Sequence, residues 1–262
     1  MSRPDLTLRP AVARDAPALA DLFLASRRAA VPSMPAPVHP PDQVHAWFAE
    51  QLRPETVHDD DAGAATRREL WVADRDAFAV GYLILDPEWL DSLYVDPDLV
   101  GHGIGTALLD LAKSLRPGGF GLWVFESNLG ARRFYSARGL LSLERTDGRD
   151  NEERAPDIAM VWPGHDPLTY FRRRIDAVDT DLGKVLARRA ALTAAVQRFK
   201  PVAGQEGRDR EREAEIAARL AAHAPNLGAA RIERIIHAVI TESLDAAEQG
   251  RAGRPPPVGG VP

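Results

Sequence analysis

The 262-residue chain contains no cysteine. A disulfide framework, a thiolate metal site and a cysteine nucleophile are therefore excluded, and no metal site is expected. Long apolar runs are missing as well: no window approaches the roughly 18 consecutive apolar residues of a membrane span. The opening MSRPDLTLRP lacks the basic-then-apolar order of a secretory signal. A cytoplasmic enzyme with no membrane partner is the expectation. Nor is there a large excess of one charge. The net charge of −5 divides into −9 over residues 1–170 and +4 over residues 171–262. Basic residues of the second half are interleaved with acids, which is not a nucleic-acid footprint, although they can converge on a small anion. Internal repeats are absent.

What is present is an ordinary globular composition, 45% hydrophobic and 27% charged. The length suits two domains of roughly 100–150 residues each. In the first half short apolar runs alternate with helical patterns, which predicts an α/β or α+β domain. Leu6–Pro10 reads as a strand, and Asp15–Arg28 as a helix with Asp15 at the N-cap and Pro17 in its first turn. Residues 31–41 hold five prolines and form a loop before a helix around Val44–Leu52. Leu70–Ala73 and Ala79–Leu85 are strands joined by a turn at Asp74-Arg75-Asp76, and Leu90–Val95 is a third. A helix over Gly105–Leu115, a strand at Gly121–Phe125, a helix over Leu129–Ala137 and strands near Leu140–Glu144 and Ile158–Trp162 complete this half.

Past Pro163-Gly164 the pattern changes. Ile175, Val178, Leu182, Val185, Leu186, Leu192 and Val196 have the spacing of one long amphipathic helix over Phe171–Phe199. Two further helices are expected at about Arg210–Ala222 and Ala229–Ala247. The chain is thus expected to comprise residues 1–165, a helical domain at 166–249, and a disordered tail at 250–262. Three helices, one twice as long as the others, cannot all bury their apolar stripes alone. Dimerisation along the long helix would solve this.

The segment LDSLYVDPDLVGHGIGTALLDLAK (Leu90–Lys113) combines a strand, a glycine-rich turn and a helix. Such a turn aims consecutive backbone N–H groups from the positive end of a helix dipole, which suits phosphate or pyrophosphate. Gly101, Gly103 and Gly105 permit close backbone approach. With Val100-Gly101-His102-Gly103-Ile104-Gly105 the segment resembles the acyl-CoA loop of the GNAT superfamily of N-acetyltransferases. Val100 stands where that family has Arg or Gln, so a side-chain donor is lost while the backbone cradle remains. Downstream, GLWVFESNLGARRFYSARGL (Gly121–Leu140) resembles the family's strand followed by Asn-x-x-Ala-x-x-Phe-Tyr, here Asn128, Ala131, Phe134 and Tyr135. The resemblance covers roughly residues 5–163. It implies a mixed sheet flanked by helices, with acetyl-CoA as acyl donor held by Val95, Gly101, His102, Gly103, Gly105, Thr106 and Asn128. It further implies a cleft between splayed strands, with Tyr135 as the general acid for the leaving thiolate. Asp91, Glu88 and Glu126 are nominated as the general base; His102 is expected to face solvent. The acceptor amine is left open, because loops such as Val31–Pro41 and Asp59–Arg68 would shape its pocket.

The second half resembles the all-helical chorismate mutases. The matching positions are Arg172-x-x-Ile175-Asp176-x-x-Asp179-x-x-Leu182, then Arg189, Lys200, the box Arg208-Asp209-x-x-Arg212-Glu213, and Ser243. The resemblance implies a Claisen rearrangement of chorismate to prephenate without a cofactor. Guanidinium forks hold the two carboxylates of the substrate, Arg172 reaching from a partner subunit and Arg189 from its own. Lys200 donates to the ether oxygen, Arg212 lines the site, Glu213 accepts the substrate hydroxyl, and Asp209 and Ser243 complete the shell. The family has Gln or Glu four residues after the serine, and here Ala247 occupies that position with Glu248 next. Three consequences are open: a local register shift that brings in Glu248, a slow site, or a different substrate such as an amino analogue of chorismate. The expectation is a bifunctional acyltransferase and mutase. The alternatives are a sensor or scaffold that binds CoA and a metabolite, with the helices as a dimerisation module, and coupled halves that acylate an aromatic amine or amino acid.

Overall fold

A computed structural model describes residues 6–53, 68–200, 202 and 204–252. The chain forms two compact units, Met1–Arg172 and Arg173–Pro262.

The first unit is α+β. Four antiparallel strands, β1 (Leu6–Pro10), β2 (Glu69–Arg75), β3 (Phe78–Leu85) and β4 (Leu90–Val95), lie in sequence order. A second sheet has the order β5 (Phe120–Phe125), β7 (Asp157–Trp162), β6 (Leu141–Arg145), again antiparallel. Both faces of the first sheet are covered, which is why β3 reads as a nearly continuous apolar run. Tyr82 and Ile84 enter one buried cluster with Leu19, Leu24 and Phe48, supplied by α1 (Ala16–Ala29) and α2 (Pro41–Gln51). Leu83 and Leu85 alternate to the other face, where they join Ile104, Leu108 and Leu109 of α3 (Ile104–Leu115). Gly81 sets how closely α3 approaches, because a Cβ there would meet Ile104 at 3.0 Å, Leu108 at 3.1 Å and the Tyr94 carbonyl at 3.1 Å.

The predicted elements are found with two local corrections in this unit. Asp15 occupies the N-cap position of α1, yet its side chain makes no cap bond there. Its carboxylate instead accepts from the Val12 N–H at 2.8 Å and from Arg9 at 2.7 and 2.9 Å, closing the preceding 3-10 turn. The hairpin turn lies at Asp76-Ala77, both at positive φ, rather than at Asp74–Asp76, because Asp74 and Arg75 stay in register with β1 and β3.

A long helix, α5 (Pro167–Val196), starts four residues before the apolar pattern predicts. Asp166 accepts from the Thr169 N–H at 3.1 Å and Pro167 occupies the first helical position. The second unit is all-α: α5 continues through it, and α6 (Arg210–His223) packs on α7 (Ala229–Ala252). Ala217, Ile232, Ile240, Leu244 and Ala247 form its buried apolar positions. Helix α7 runs to Ala252, so 250–252 belong to the helix and not to a tail. Residues 253–262 lie outside the described residues, as does the Asp59–Arg67 portion of the loop expected to shape the acceptor pocket.

Candidate functional site

Strands β4 and β5 run parallel but touch at one end only. Trp89 bridges Gly121, and the Gly121 N–H donates to the Glu88 carbonyl at 2.8 Å. A Cβ on Gly121 would meet the Trp89 ring at 2.8 Å, and Trp89 in turn stacks on Trp123 with a centroid separation of 5.9 Å. This glycine closes the base of a wedge that widens towards Val95 and Phe125. A cleft of about 740 Å³ fills the wedge, walled by Leu90–Tyr94 on one side and Leu122–Phe125 on the other.

The glycine loop follows the end of β4 and none of residues 101–106 is on the cleft lining; Gly105 faces Phe134, the neighbour in sequence of the lining residue Tyr135. Gly101 and Gly103 have φ of +88° and +87°, the left-handed region where a side chain is strained. Gly103 is the N-cap of α3 and carries no side-chain cap, so the first-turn N–H groups have no partner within the helix. His102 is exposed, as expected, and Val100 is 68% exposed. Val95 ends β4, its carbonyl accepting from Ser26 at 2.9 Å, and its side chain lies against the face of Gly105. The Thr106 hydroxyl accepts from Arg138 at 2.7 and 3.2 Å. The Arg138 guanidinium also lies 4.0 Å from the Phe134 ring centroid. Arg138 carries no local signal in the sequence: it is 32 residues from Thr106 and one of several arginines in its stretch. The residues fit a diphosphate-bearing group: an uncapped helix start, two open glycines and a nearby guanidinium.

Asn128 caps α4 (Leu129–Ser136), its side-chain oxygen accepting from the Ala131 N–H at 3.0 Å. It also lines the cleft, as does Tyr135 of α4. Burial pushes the Tyr135 phenol well above the ordinary tyrosine value, with the nearby Tyr94 adding to it. A phenol so held keeps its proton and is suited to donate it.

Of the three nominated bases only Asp91 lies on the cleft wall. It accepts from Ser92 at 2.9 Å and stands 3.8 Å from Arg68. Glu126 is outside the lining because Arg145 holds its carboxylate at 2.6 Å. Glu88 is outside it too, in the turn where β4 and β5 are pinned together. The cleft also has charged residues that no motif in the sequence marks: Arg27, His39, Glu152 and Glu153. Glu152 and Glu153 come from the loop between β6 and β7, and the acidic run in NEER was their only sequence signal. Glu152 holds His39 at 2.8 Å and raises its pKa.

In the second unit, Arg189 of α5 meets Ser243 of α7. The guanidinium donates to the Ser243 hydroxyl at 2.9 Å and to the Val239 carbonyl at 3.3 Å, and the buried Ser243 donates to the same carbonyl at 2.5 Å. The other nominated residues are engaged locally. Lys200 donates to the Gly207 carbonyl at 2.7 Å. Asp209 caps α6 through the Arg212 N–H at 3.0 Å, and the Arg212 side chain is exposed. Glu213 is gripped by Arg208 at 2.8 and 2.6 Å, which lowers its pKa. Arg172, exposed, is the last residue of the first unit. Helix α7 is unbroken, so no register shift brings Glu248 onto the Ser243 face. Ala247 sits there, buried, while Glu248 turns to the Gln205 N–H at 3.3 Å.

The fold and the two sites define an acyltransferase class joined to a helical mutase class. Family models agree: Acetyltransferase (GNAT) family matches residues 34–140, and Chorismate mutase type II matches residues 171–248. Peptidyl-lysine N-acetyltransferase YjaB of Escherichia coli (strain K12) is 30% identical over 125 residues, 47% of this chain and 83% of that protein. The YjaB of Salmonella typhimurium is 36% identical over 96 residues, 36% of this chain and 65% of that protein, so the match spans under two thirds of its length. The solution structure of apo-form YjaB from Escherichia coli aligns at a TM-score of 0.48 and 23% identity, over 61% of this chain and 99% of that one. The chain belongs to the GNAT acetyltransferase family, and it carries a chorismate mutase type II domain after the acetyltransferase domain.

Proposed function

We propose that the first unit moves an acetyl group from acetyl-CoA to an amine, and that the second rearranges chorismate, or an amino analogue of it, to the prephenate skeleton. One observation carries the first reading: an uncapped, glycine-opened helix start follows the end of β4, one wall of a wedge that contains a buried, protonated tyrosine. Acetyl-CoA would supply the activated thioester. Gly101, Gly103, Gly105 and Thr106 would hold its diphosphate through backbone N–H groups. Asp91 would take the proton of the acceptor ammonium, and the Tyr135 hydroxyl would hold the proton for the departing sulfur. Calorimetric titration tests this reading: no interaction with acetyl-CoA at millimolar concentration would overturn it.

For the second unit the support is the meeting of Arg189 with the buried Ser243. Arg189 would take one carboxylate of the dianion and Lys200 the developing charge on the ether oxygen, with Arg212, Glu213 and Asp209 around them. Arg172 would come from a second copy. The apolar stripe of α5 supports a homodimer, because Ile175, Val178, Leu182, Val185, Leu192 and Val196 are all exposed. Catalysed loss of chorismate absorbance, abolished by Arg189→Ala, is the expected result, with a dimer in sedimentation. A second reading makes the helices a dimerisation module, and its support is that Lys200 and Glu213 are already bonded within the chain and Ala247 offers no donor. An inactive wild-type protein would favour it.

A further inference from the structure

The cleft of the first unit holds a cation for which acyl transfer has no use. Arg27, in the last turn of α1, is 5% exposed, and its guanidinium lies between two rings, 5.8 Å from the centroid of Phe23 and 5.7 Å from that of Phe125. Its Nη2 donates to Glu153 at 2.8 Å and to the Pro35 carbonyl at 3.2 Å. Its Nε is buried and has no hydrogen-bond partner among the described residues. Nε and Nη2 form one edge of the guanidinium, the edge that takes a carboxylate through two parallel bonds. Glu153 uses only one of the two.

We propose that Arg27 and Glu153 recognise a zwitterionic acceptor, a free amino acid with an apolar or aromatic side chain. Its carboxylate takes the Nε–Nη2 edge of Arg27, and its ammonium takes Glu153, with Asp91 on the same cleft wall. The exchange conserves charge: a neutral ligand inserts into a neutral ion pair, and the buried cation gains the bond it lacks. A lysine side chain offers only the cation. It would take Glu153 away from Arg27 and leave a desolvated guanidinium uncompensated, which is strongly unfavourable. Phe23, Trp47, Phe48 and Phe125 on the lining suit an apolar side chain. The acetylation chemistry rests on the acyl-transfer reading, whereas the binding does not. In the transfer, the new C–N bond forms as the thioester C–S bond breaks. One ammonium proton goes to Asp91 before attack, the Tyr135 proton goes to the departing sulfur, and the second proton lost by the nitrogen returns to Tyr135, which leaves a neutral amide, a thiol and a restored phenol.

The test compares L-phenylalanine with L-phenylalaninamide, which differ in the carboxylate alone. Calorimetry on the full chain without acetyl-CoA is expected to show the amide binding about thirtyfold more weakly, the loss of one charge-assisted pair. Steady-state acetylation is expected to show the same ratio in KM. Removing Arg27 outright can unfold the unit, so Arg27→Lys is made beside Arg27→Leu; it keeps the charge, loses the edge, and is expected to reduce the ratio to below about threefold. Equal binding of acid and amide by the wild type, failure to bind L-phenylalanine or L-leucine, or preferred acetylation of lysine in an end-blocked peptide would each overturn the proposal. A companion titration in which acetyl-CoA fails to bind removes the acyl-transfer reading alone, and the acid–amide comparison still decides the role of Arg27.

Discussion

Arg138 donates two hydrogen bonds to the hydroxyl of Thr106, at 2.7 and 3.2 Å, and so places a guanidinium on the first turn of α3. The glycine loop has Val100 where the related loops carry Arg or Gln, and Val100 is exposed. Arg138 is a cation from another element at the same helix start. Arg138→Ala is expected to weaken CoA binding about tenfold, the effect of one charge-assisted contact. Val100→Arg is expected to strengthen it by a similar factor. Calorimetry with CoA reads both, and an unchanged affinity in the alanine variant would remove Arg138 from the site.

Tyr135 is buried and keeps its proton. Tyr135→Phe is expected to lower kcat about a hundredfold or more while CoA affinity stays within about twofold, the signature of a lost proton donor. A loss confined to binding would give the tyrosine a packing role only.

Gly81 has no room for a side chain between β3 and α3. Gly81→Val is expected to destabilise the first unit by about 1–3 kcal/mol through overpacking. Urea unfolding followed by tryptophan fluorescence measures it, and an unchanged midpoint would mean that α3 shifts freely.

Ala247 lies one helical turn from Ser243 on the buried face of α7. Ala247→Gln is expected to raise the rate of chorismate loss about tenfold, because the amide restores a donor to the site. No gain in a folded variant would imply that the site is built for a different substrate.

Arg208 grips Glu213 and holds its carboxyl below the ordinary glutamate range. A depressed carboxylate stabilises the folded state fully above its unfolded value, and that contribution is lost as pH falls through the folded value. The second unit is therefore expected to lose stability from the ordinary glutamate range downward. Arg208→Ala should cost about 0.5–1 kcal/mol at neutral pH, the scale of a solvent-screened ion pair, and flatten this acid limb. Urea midpoints followed against pH by circular dichroism test both.

The residues legible in the sequence were those whose partners are close along the chain. The glycine turn, the Asn128 cap and the Tyr135 helix are short-range features, and a period of two or 3.6 locates their elements. The start of α5 is legible too, in Asp166-Pro167, although the apolar periodicity begins only at Phe171. The fate of Asp15 was not, because its competing partner Arg9 offered the carboxylate two bonds that no capping rule weighs.

By itself the sequence determined the order of elements, the α+β and all-α halves, the phosphate-suited loop and the spacing of cations along α5, because backbone propensity and periodicity are local properties. Only the tertiary structure decided which charges share a cleft. Arg27 and Glu153 are 126 residues apart, and two of the three nominated acids lie off the cleft wall. Arg138 is at the glycine loop, and Glu248 faces away from Ser243. These outcomes depend on how the two sheets splay and on the rotation of about 100° per residue along a helix. Neither the splay nor the choice among competing partners is expressed in any single stretch of the chain.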